Sequence, residues 1–413
     1  MNNLPIVTML ASCLFCSQAA PQSVFLVGSY DTPGSARGVF VAGDYAYVSC
    51  WDSGLVVVNV SDPANPSLAG GIETSPGHAW DAHLQGEYAY IADDYLGGLM
   101  IADISDPVQP VIVGCYDTPG WAYNLEVDGN YVYMADGHTG YFQIIDVSDP
   151  TNPAPVADVN TNGWARGISL SWPYIYLANG GGLRIFDISN PAEPRLISNC
   201  ITPPTAFAVC VAGNYAFLID NHNAADFLTI DVSVADSARI VHSYALPSAA
   251  WDVFVRGHYA FIANYESGLR VLDISDPLSP ELVGLYDTPG RCRHVYVDKF
   301  IYVADDSSLL ILVFDPTDVY GDEEVPHRFG LFQNYPNPFN AQTTISYALP
   351  QKGPVTLSIY SLLGQKLATL FEGVQEAGEY KVVWDAPSAP SGVYFYRLEV
   401  NEYVETRKMV LLR

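Results

Sequence analysis

The chain has 413 residues and a formal net charge of −27, from 45 acidic and 18 basic side chains. That balance repels nucleic-acid phosphates and anionic membrane surfaces, so nucleic acid is excluded as an expected partner and cations are favoured. Beyond the first residues no stretch is long and apolar enough to form a transmembrane helix.

The first element, Leu4 to Cys16, is apolar but too short to cross a bilayer, and Ser17-Gln18-Ala19 supplies small residues before Ala20. Residues 1–19 read as a cleavable signal peptide. A rival reading stays open, because Leu10-Ala11-Ser12-Cys13 resembles a bacterial lipoprotein box and would leave Cys13 lipidated. Ordinary cleavage leaves Cys50, Cys115, Cys200, Cys210 and Cys292, an odd number at irregular positions and no disulfide framework.

From residue 24 to residue 316 the chain repeats itself. Gly268 to Pro280, GLRVLDISDPLSP, returns with its central acidic or amide residue at Asn59, Asp103, Asp146, Asp187, Asp231 and Asp273, in steps of 44, 43, 41, 44 and 42 residues. A period in this range marks a propeller or another repeat array. Within each copy an apolar, β-branched run makes a buried strand, and the following Ser-Asp-Pro stops it, since Pro has no amide to continue a ladder. A second Pro opens the next strand. A Pro-Gly turn follows, as in Asp31 to Gly34, then a strand such as Arg37 to Val41, a Gly-Asp or Gly-Asn turn, and an aromatic strand such as Tyr45 to Ser49. Four short strands per period is the content of one propeller blade.

Val24 to Tyr30 leads into such a Pro-Gly turn and is a fourth strand without its first three. The faded copy from Arg293 to Phe314 has three strands and lacks the fourth. The two fragments complete one another, and ring closure by strands from both ends removes exposed sheet edges. The expected fold class is all-β: a seven-bladed β-propeller over residues 20–316, followed by a small Ig-like β-sandwich. Through GLRVLDISDP, YDTPG and the paired-aromatic strands Tyr88-Ala89-Tyr90 and Tyr131-Val132-Tyr133, residues 24 to 316 resemble the LVIVD-repeat family of bacterial surface propellers. Repeat five departs most, with Val234-Ala235 in place of Asp-Pro and a longer loop from Asp220 to Asp226.

Residues 317–328 are polar and acidic and read as a linker. From Phe329 the pattern changes: Ile345, Tyr347 and Leu349, then Val355, Leu357 and Ile359, alternate with polar residues as half-buried strands do. The opening Gln333-Asn334-Tyr335-Pro336-Asn337-Pro338-Phe339-Asn340, the turn Leu363-Gly364-Gln365, Gly392-Val393-Tyr394 and Arg407-Lys408-Met409 resemble the type A C-terminal sorting domain of type IX secretion cargo. For residues 329–413 the resemblance implies recognition by the type IX secretion machinery and export across the outer membrane to the cell surface or beyond. Residues 329–413 hold 7 basic and 7 acidic side chains, so the whole −27 lies in residues 1–328.

Enzyme signatures are missing: there is no HExxH, no GxSxG and no phosphate-cradling loop before a helix. Differences among the repeats carry the remaining information. Asp93, Asp136, Asn179, Asp220, Asn264 and Asp305 all follow the aromatic strand, and residues shared by six repeats are better explained by turn capping than by metal binding. Asp81, Asp252 and His294 stand where other repeats have Gly38, Gly167 and Ala208; they are metal candidates for a divalent cation such as calcium, with hydrogen bonding to a neighbouring turn the favoured alternative. Two or three residues after each Pro-Gly turn stand Arg37, Trp80, Tyr123, Arg166, Phe207, Trp251 and Arg293. This position opens the strand nearest the axis, so all seven are expected at one mouth of the channel, as a ligand-binding ring or as a plug.

The favoured function is a non-catalytic binding or adhesion module for an unknown glycan, peptide or protein, with no cofactor beyond such a cation. Two alternatives stay open: an extracellular carbohydrate-active hydrolase or lyase using channel-mouth carboxylates, and a purely structural surface-layer component.

Overall fold

The computed structural model describes residues 22–314, apart from 75–76, 94–97, 138–139, 203–204 and 222–224, and residues 329–411, apart from 332–333, 335–338, 341, 363, 386–389 and 402. The signal peptide, the linker and Tyr335 to Pro338 of the sorting motif lie outside the described residues.

Strands dominate the described residues, whose one 3-10 turn lies at Ala235–Ser237. That turn sits where repeat five has lost its Asp-Pro. Six four-stranded antiparallel blades follow one another along the chain. The first strand of each runs over residues 36–42, 79–85, 122–128, 165–171, 206–212 and 252–256. A seventh unit starts with Cys292–Val297, which pairs with residues 301–305; residues 308–314 then pair antiparallel with residues 24–31. Gln22–Ala42 is therefore one long strand that ends the seventh unit and begins the first.

Each blade is built on its second and third strands. Tyr45–Cys50, Tyr88–Asp93 and Tyr131–Asp136 are buried at every position after the first, and the third strands are almost as apolar. Apolar side chains on both faces fill the spaces between neighbouring blades, so seven hydrophobic clusters each combine strands from two adjacent units. The fourth strands are the outer, half-exposed ones.

The Ser-Asp-Pro segment stops the third strand through two successive side-chain caps. In the second blade Asp103 accepts from the Ser105 N–H at 2.9 Å, and Asp106 from the Val108 N–H at 3.1 Å. The same pairs recur at Asp146 with Asp149 and at Asp273 with Asp276. Hydrogen bonds from Ser105 and Ser233 hold the Asp103 and Asp231 carboxyls below their ordinary range.

Residues 329–411 form two sheets over one core. Gly330–Leu331, Gln342–Leu349 and Gly378–Asp385 make a three-stranded sheet; Gly353–Ser361, Lys366–Gln375, Gly392–Val400 and Tyr403–Leu411 make a four-stranded one. Ile345, Tyr347, Leu357, Ile359, Tyr396 and Leu398 are buried between them, so the alternation read from the sequence is the alternation of the sheets. Two residues of the sorting motif anchor its start. Asn334 is buried, donates its N–H to Tyr396 Oη at 3.0 Å and its Nδ2 to Thr343 Oγ1 at 2.9 Å. Phe339 is buried against Trp384 and donates its N–H to Val410 O at 2.9 Å. Asn340 is exposed at the start of the next strand, and Lys408 lies on the final strand opposite Phe395.

Candidate functional site

The seven ring positions come together at one end of the channel, and a backbone irregularity puts them there. In six units the first strand carries a register shift just after its first residue. Ala79 pairs with Asp93 and Asp81 with Ala92, which leaves Trp80 unpaired; Arg37, Tyr123, Arg166, Phe207 and Arg293 are skipped in the same way. A β-bulge of this kind turns its extra residue toward the side of its neighbour. Each bulged strand thus presents two consecutive side chains to the axis, one at the mouth and one a layer deeper. Trp251, in the remaining unit, directly precedes its strand and donates its N–H to Ala263 O at 2.8 Å.

Within the ring the aromatic side chains form a chain across the opening. Tyr123 meets Trp80 edge-on at 4.9 Å, Trp80 stacks on Trp251 at 6.1 Å and 24°, and Trp251 meets Phe207 at 4.9 Å. Trp80 and Trp251 belong to the second and sixth blades, on opposite sides of the axis, so their contact closes the channel here. Three arginines are each held between two rings: Arg37 between Trp51 (4.9 Å) and Trp80 (5.4 Å), Arg166 between Trp164 (4.9 Å) and Phe207 (5.1 Å), and Arg293 between Trp251 (4.4 Å) and Tyr265 (4.9 Å). Arg293 is buried, and its Nε donates to Asp306 Oδ1 at 2.8 Å. Arg166 has no carboxylate partner among the described residues; partial burial lowers its pKa.

The layer below contains Asp81, Asn124, Asp252 and His294, with Gly38, Gly167 and Ala208 in the other three blades. Their hydrogen bonds run to the next blade's inner strand rather than to a turn. Asn124 Oδ1 accepts from Ile168 N–H at 3.0 Å, Asp252 Oδ2 from Val295 N–H at 3.0 Å, and His294 Nδ1 from Val39 N–H at 3.3 Å. Because Nδ1 accepts, the neutral imidazole carries its proton on Nε2, which faces Asp252 at 3.4 Å and Asp81 at 3.8 Å. Asn124 Nδ2 donates to Asp81 at 2.6 Å. Burial pushes the Asp81 carboxyl up to about 6, against the opposing effects of His294 and Asn124.

The three metal candidates therefore do meet. They are two carboxylates and one imidazole, each already holding backbone or an amide, whereas calcium takes roughly six to eight oxygens. Among the described residues no group of three or more His, Cys, Asp or Glu is arranged to hold a metal ion.

The second carboxylate and amide series is buried and caps the Pro-Gly turn that precedes its own blade's first strand. Asp136 accepts from Gly120 N–H at 3.0 Å, Asp305 from Gly290 N–H at 2.8 Å, and Asn264 donates to Ser248 O at 2.7 Å. At Gly163 a Cβ would run into the Asn179 side chain, which is why that turn carries glycine.

Sequence reasoning missed Trp51, Tyr265, Trp164, His78 and Arg291. Trp51 stacks on His78 at 4.5 Å, Tyr265 stacks on Trp251 at 5.4 Å beneath Arg291, and Trp164 is 45% exposed beside Arg166. Trp51 and Tyr265 share one position in the loop after the second strand, and His78, Trp164 and Arg291 each stand two residues before their blade's ring position; the residue type at both places changes from repeat to repeat. Cys292 is buried, and burial raises its thiol well above the ordinary range, which disfavours the thiolate. Cys50 and Cys210 are pushed up to about 12 by burial, and all five described cysteines are free.

Four-stranded sheets set around an axis, each giving its first strand to the channel, define a β-propeller. The chain belongs to the LVIVD repeat family, whose model matches residues 33–74, 76–118, 119–161, 162–202 and 247–288. The gap after residue 202 is the divergent fifth repeat. Residues 333–412 match the secretion system C-terminal sorting domain, which indicates export to the cell surface or beyond. Comparison with curated proteins gives no match. Among solved structures the chain is similar to BamB from Moraxella catarrhalis, at 14% identity and a TM-score of 0.51 over 71% of this chain and 98% of that one. It is similar to virginiamycin B lyase from Staphylococcus aureus at 8% identity and a TM-score of 0.56, over 71% and 100%. The WD40 β-propeller domain of Doa1 aligns at 9% identity and a TM-score of 0.58, over 71% and 98%. At these identities the likeness is one of fold alone.

Proposed function

We propose that the chain is an exported seven-bladed propeller, closed by its N-terminal strand, that binds a ligand and does not transform it. The ligand lies on the outer face of the mouth ring. The observation that carries this reading is the set of three arginines, each fixed between two aromatic rings, at one end of the channel. A stacked guanidinium is already ordered, Arg166 has no carboxylate partner among the described residues, and aromatic faces suit sugar rings or peptide side chains. The Trp80–Trp251 contact makes the ring a floor on which a ligand rests, with no entry into the channel from this side.

The test is affinity electrophoresis of the full chain through gels containing soluble polysaccharides, with a peptide array alongside. Trp80→Ala combined with Trp251→Ala is expected to abolish retention. Trp164→Ala, at an exposed position, is expected to weaken it about ten-fold with an unchanged melting temperature. Unchanged binding by both variants refutes the reading. Release of new reducing ends or unsaturated sugars from any polysaccharide would establish the hydrolase or lyase alternative instead.

A further inference from the structure

The channel encloses a chamber of about 510 Å3 whose walls are the mouth ring, the inner strands, and Gly330 and Ala348 of the C-terminal sandwich. That volume falls within the range of small-molecule sites, roughly 300 to 1,000 Å3. In the second layer a Cβ at Gly38 or Gly167 would run into the next blade's inner strand, so glycine there lets the inner strands approach closely.

We propose that this chamber binds a small organic cation, a protonated or quaternary amine. The argument starts from Asp252. Its Oδ2 accepts from Val295 N–H and faces His294, while its Oδ1 has no partner among the described residues. The Asp81 carboxylate approaches the same imidazole from across the axis. One layer deeper, the blades that carry Asp252, His294 and Gly38 contribute Phe254, Tyr296 and Phe40. These rings stand 5.3 Å (Phe254–Tyr296) and 4.5 Å (Phe40–Tyr296) apart and all line the chamber. A carboxylate oxygen one layer above three aromatic side chains is the donor set for an ammonium group, which takes a charged hydrogen bond and cation–π contacts together.

The charges are ordered along the axis in the same sense. Arg37, Arg166 and Arg293 lie at the mouth end, and Arg293 is neutralised by Asp306. The carboxylates lie deeper, so an ammonium group is held away from the mouth. The field of the acidic propeller draws cations toward the molecule. Metal ions find no comparable set, because the aromatic rings offer them no ligand atoms.

Isothermal titration calorimetry of the full chain with benzylamine, benzyl alcohol, benzoate and calcium chloride tests the proposal. Benzylamine is expected to bind, with benzyl alcohol about ten-fold weaker and benzoate weaker still. Asp252→Asn is expected to reduce benzylamine affinity about ten-fold, and Trp164→Ala, which probes the mouth face, to leave it unchanged. Equal binding of benzyl alcohol, binding of calcium alone, or an Asp252→Asn protein with wild-type benzylamine affinity overturns the proposal. The comparison of ligands on the unmodified chain decides it even where Asp252→Asn does not fold.

Discussion

Replacing Asp81 with Asn turns the polar layer of the channel into a measurable stability change. Burial raises the Asp81 carboxyl from an ordinary 3.8 to about 6. At about 1.4 kcal/mol per pKa unit, ionised Asp81 costs the folded state about 3 kcal/mol relative to the unfolded chain. The sign follows from proton binding. Well below the ordinary value of 3.8, at about pH 2 to 3, the group is protonated in both states and contributes no cost. Between about pH 4 and 6 the unfolded chain gives up the proton while the folded one keeps it, so stability falls as pH rises. Above about pH 6 the full cost is present. Asn keeps an acceptor for the Asn124 amide and cannot ionise. The Asp81→Asn protein is therefore expected to be up to about 3 kcal/mol more stable than wild type at pH 8, with the gain vanishing at about pH 2 to 3. Urea unfolding followed by tryptophan fluorescence measures it, since six of the seven tryptophans precede residue 316. An Asn variant no more stable than wild type at pH 8, or one with the same advantage at pH 4 and pH 8, would refute the reasoning.

Deleting residues 22–31 leaves the strand at Ser308–Phe314 without its ladder partner and exposes Phe314 and Gly284, against which Val24 packs. The cost is expected to be on the order of 5 kcal/mol, read as a lower melting temperature, and an unchanged melting temperature would mean the strand does not close the ring. Removing residues 329–413 is expected to leave the propeller in the periplasm of a host with type IX secretion, detected by fractionation and surface labelling; surface display of the shortened chain would contradict the delivery role of that segment.

The strand plan was legible because its punctuation is chemical. Ser-Asp-Pro, Pro-Gly and the aromatic pairs fix where strands stop, turn and pack, and Asp103 with Asp106 makes the hydrogen bonds its spacing predicts. The capping role of Asp136 was legible too, but its target lies 16 residues back, at Gly120, and only the fold brings the two together. The bulge was not legible. Strict alternation sends Arg293 and His294 to opposite faces, yet the register shift between Cys292 and His294 places both along the channel. Nothing in a strand's composition marks a one-residue insertion that six repeats share, because each of them, aligned to the others, carries it in the same place. Trp51 and Tyr265 escaped for another reason: they share one position in the loop after the second strand, in the first and sixth blades, and the other blades do not carry a large aromatic residue there.

That shared bulge also couples the two candidate surfaces. Because it presents consecutive residues to the axis, what a blade places in the mouth and what it places in the chamber are neighbours in the chain: Trp80 with Asp81, Arg293 with His294, and, beside its strand's start, Trp251 with Asp252. The blades with a carboxylate or imidazole in the second layer are the second, sixth and seventh, and two of these supply the Trp80–Trp251 contact that closes the mouth. The fourth and fifth blades place the small residues Gly167 and Ala208 there, close against one another, and give Arg166 and Phe207 to the mouth. One side of the axis thus carries the carboxylates and both tryptophans together with Arg37 and Arg293, and the other carries small residues beneath Arg166 and Phe207. A seven-fold scaffold has no intrinsic reason for such polarity; single substitutions at two adjacent positions per repeat create it without disturbing a strand. Selection for a ligand acting on the mouth and selection acting on the chamber can therefore proceed separately, blade by blade, while the inter-blade hydrogen bonds of Asn124, Asp252 and His294 keep the inner strands in register.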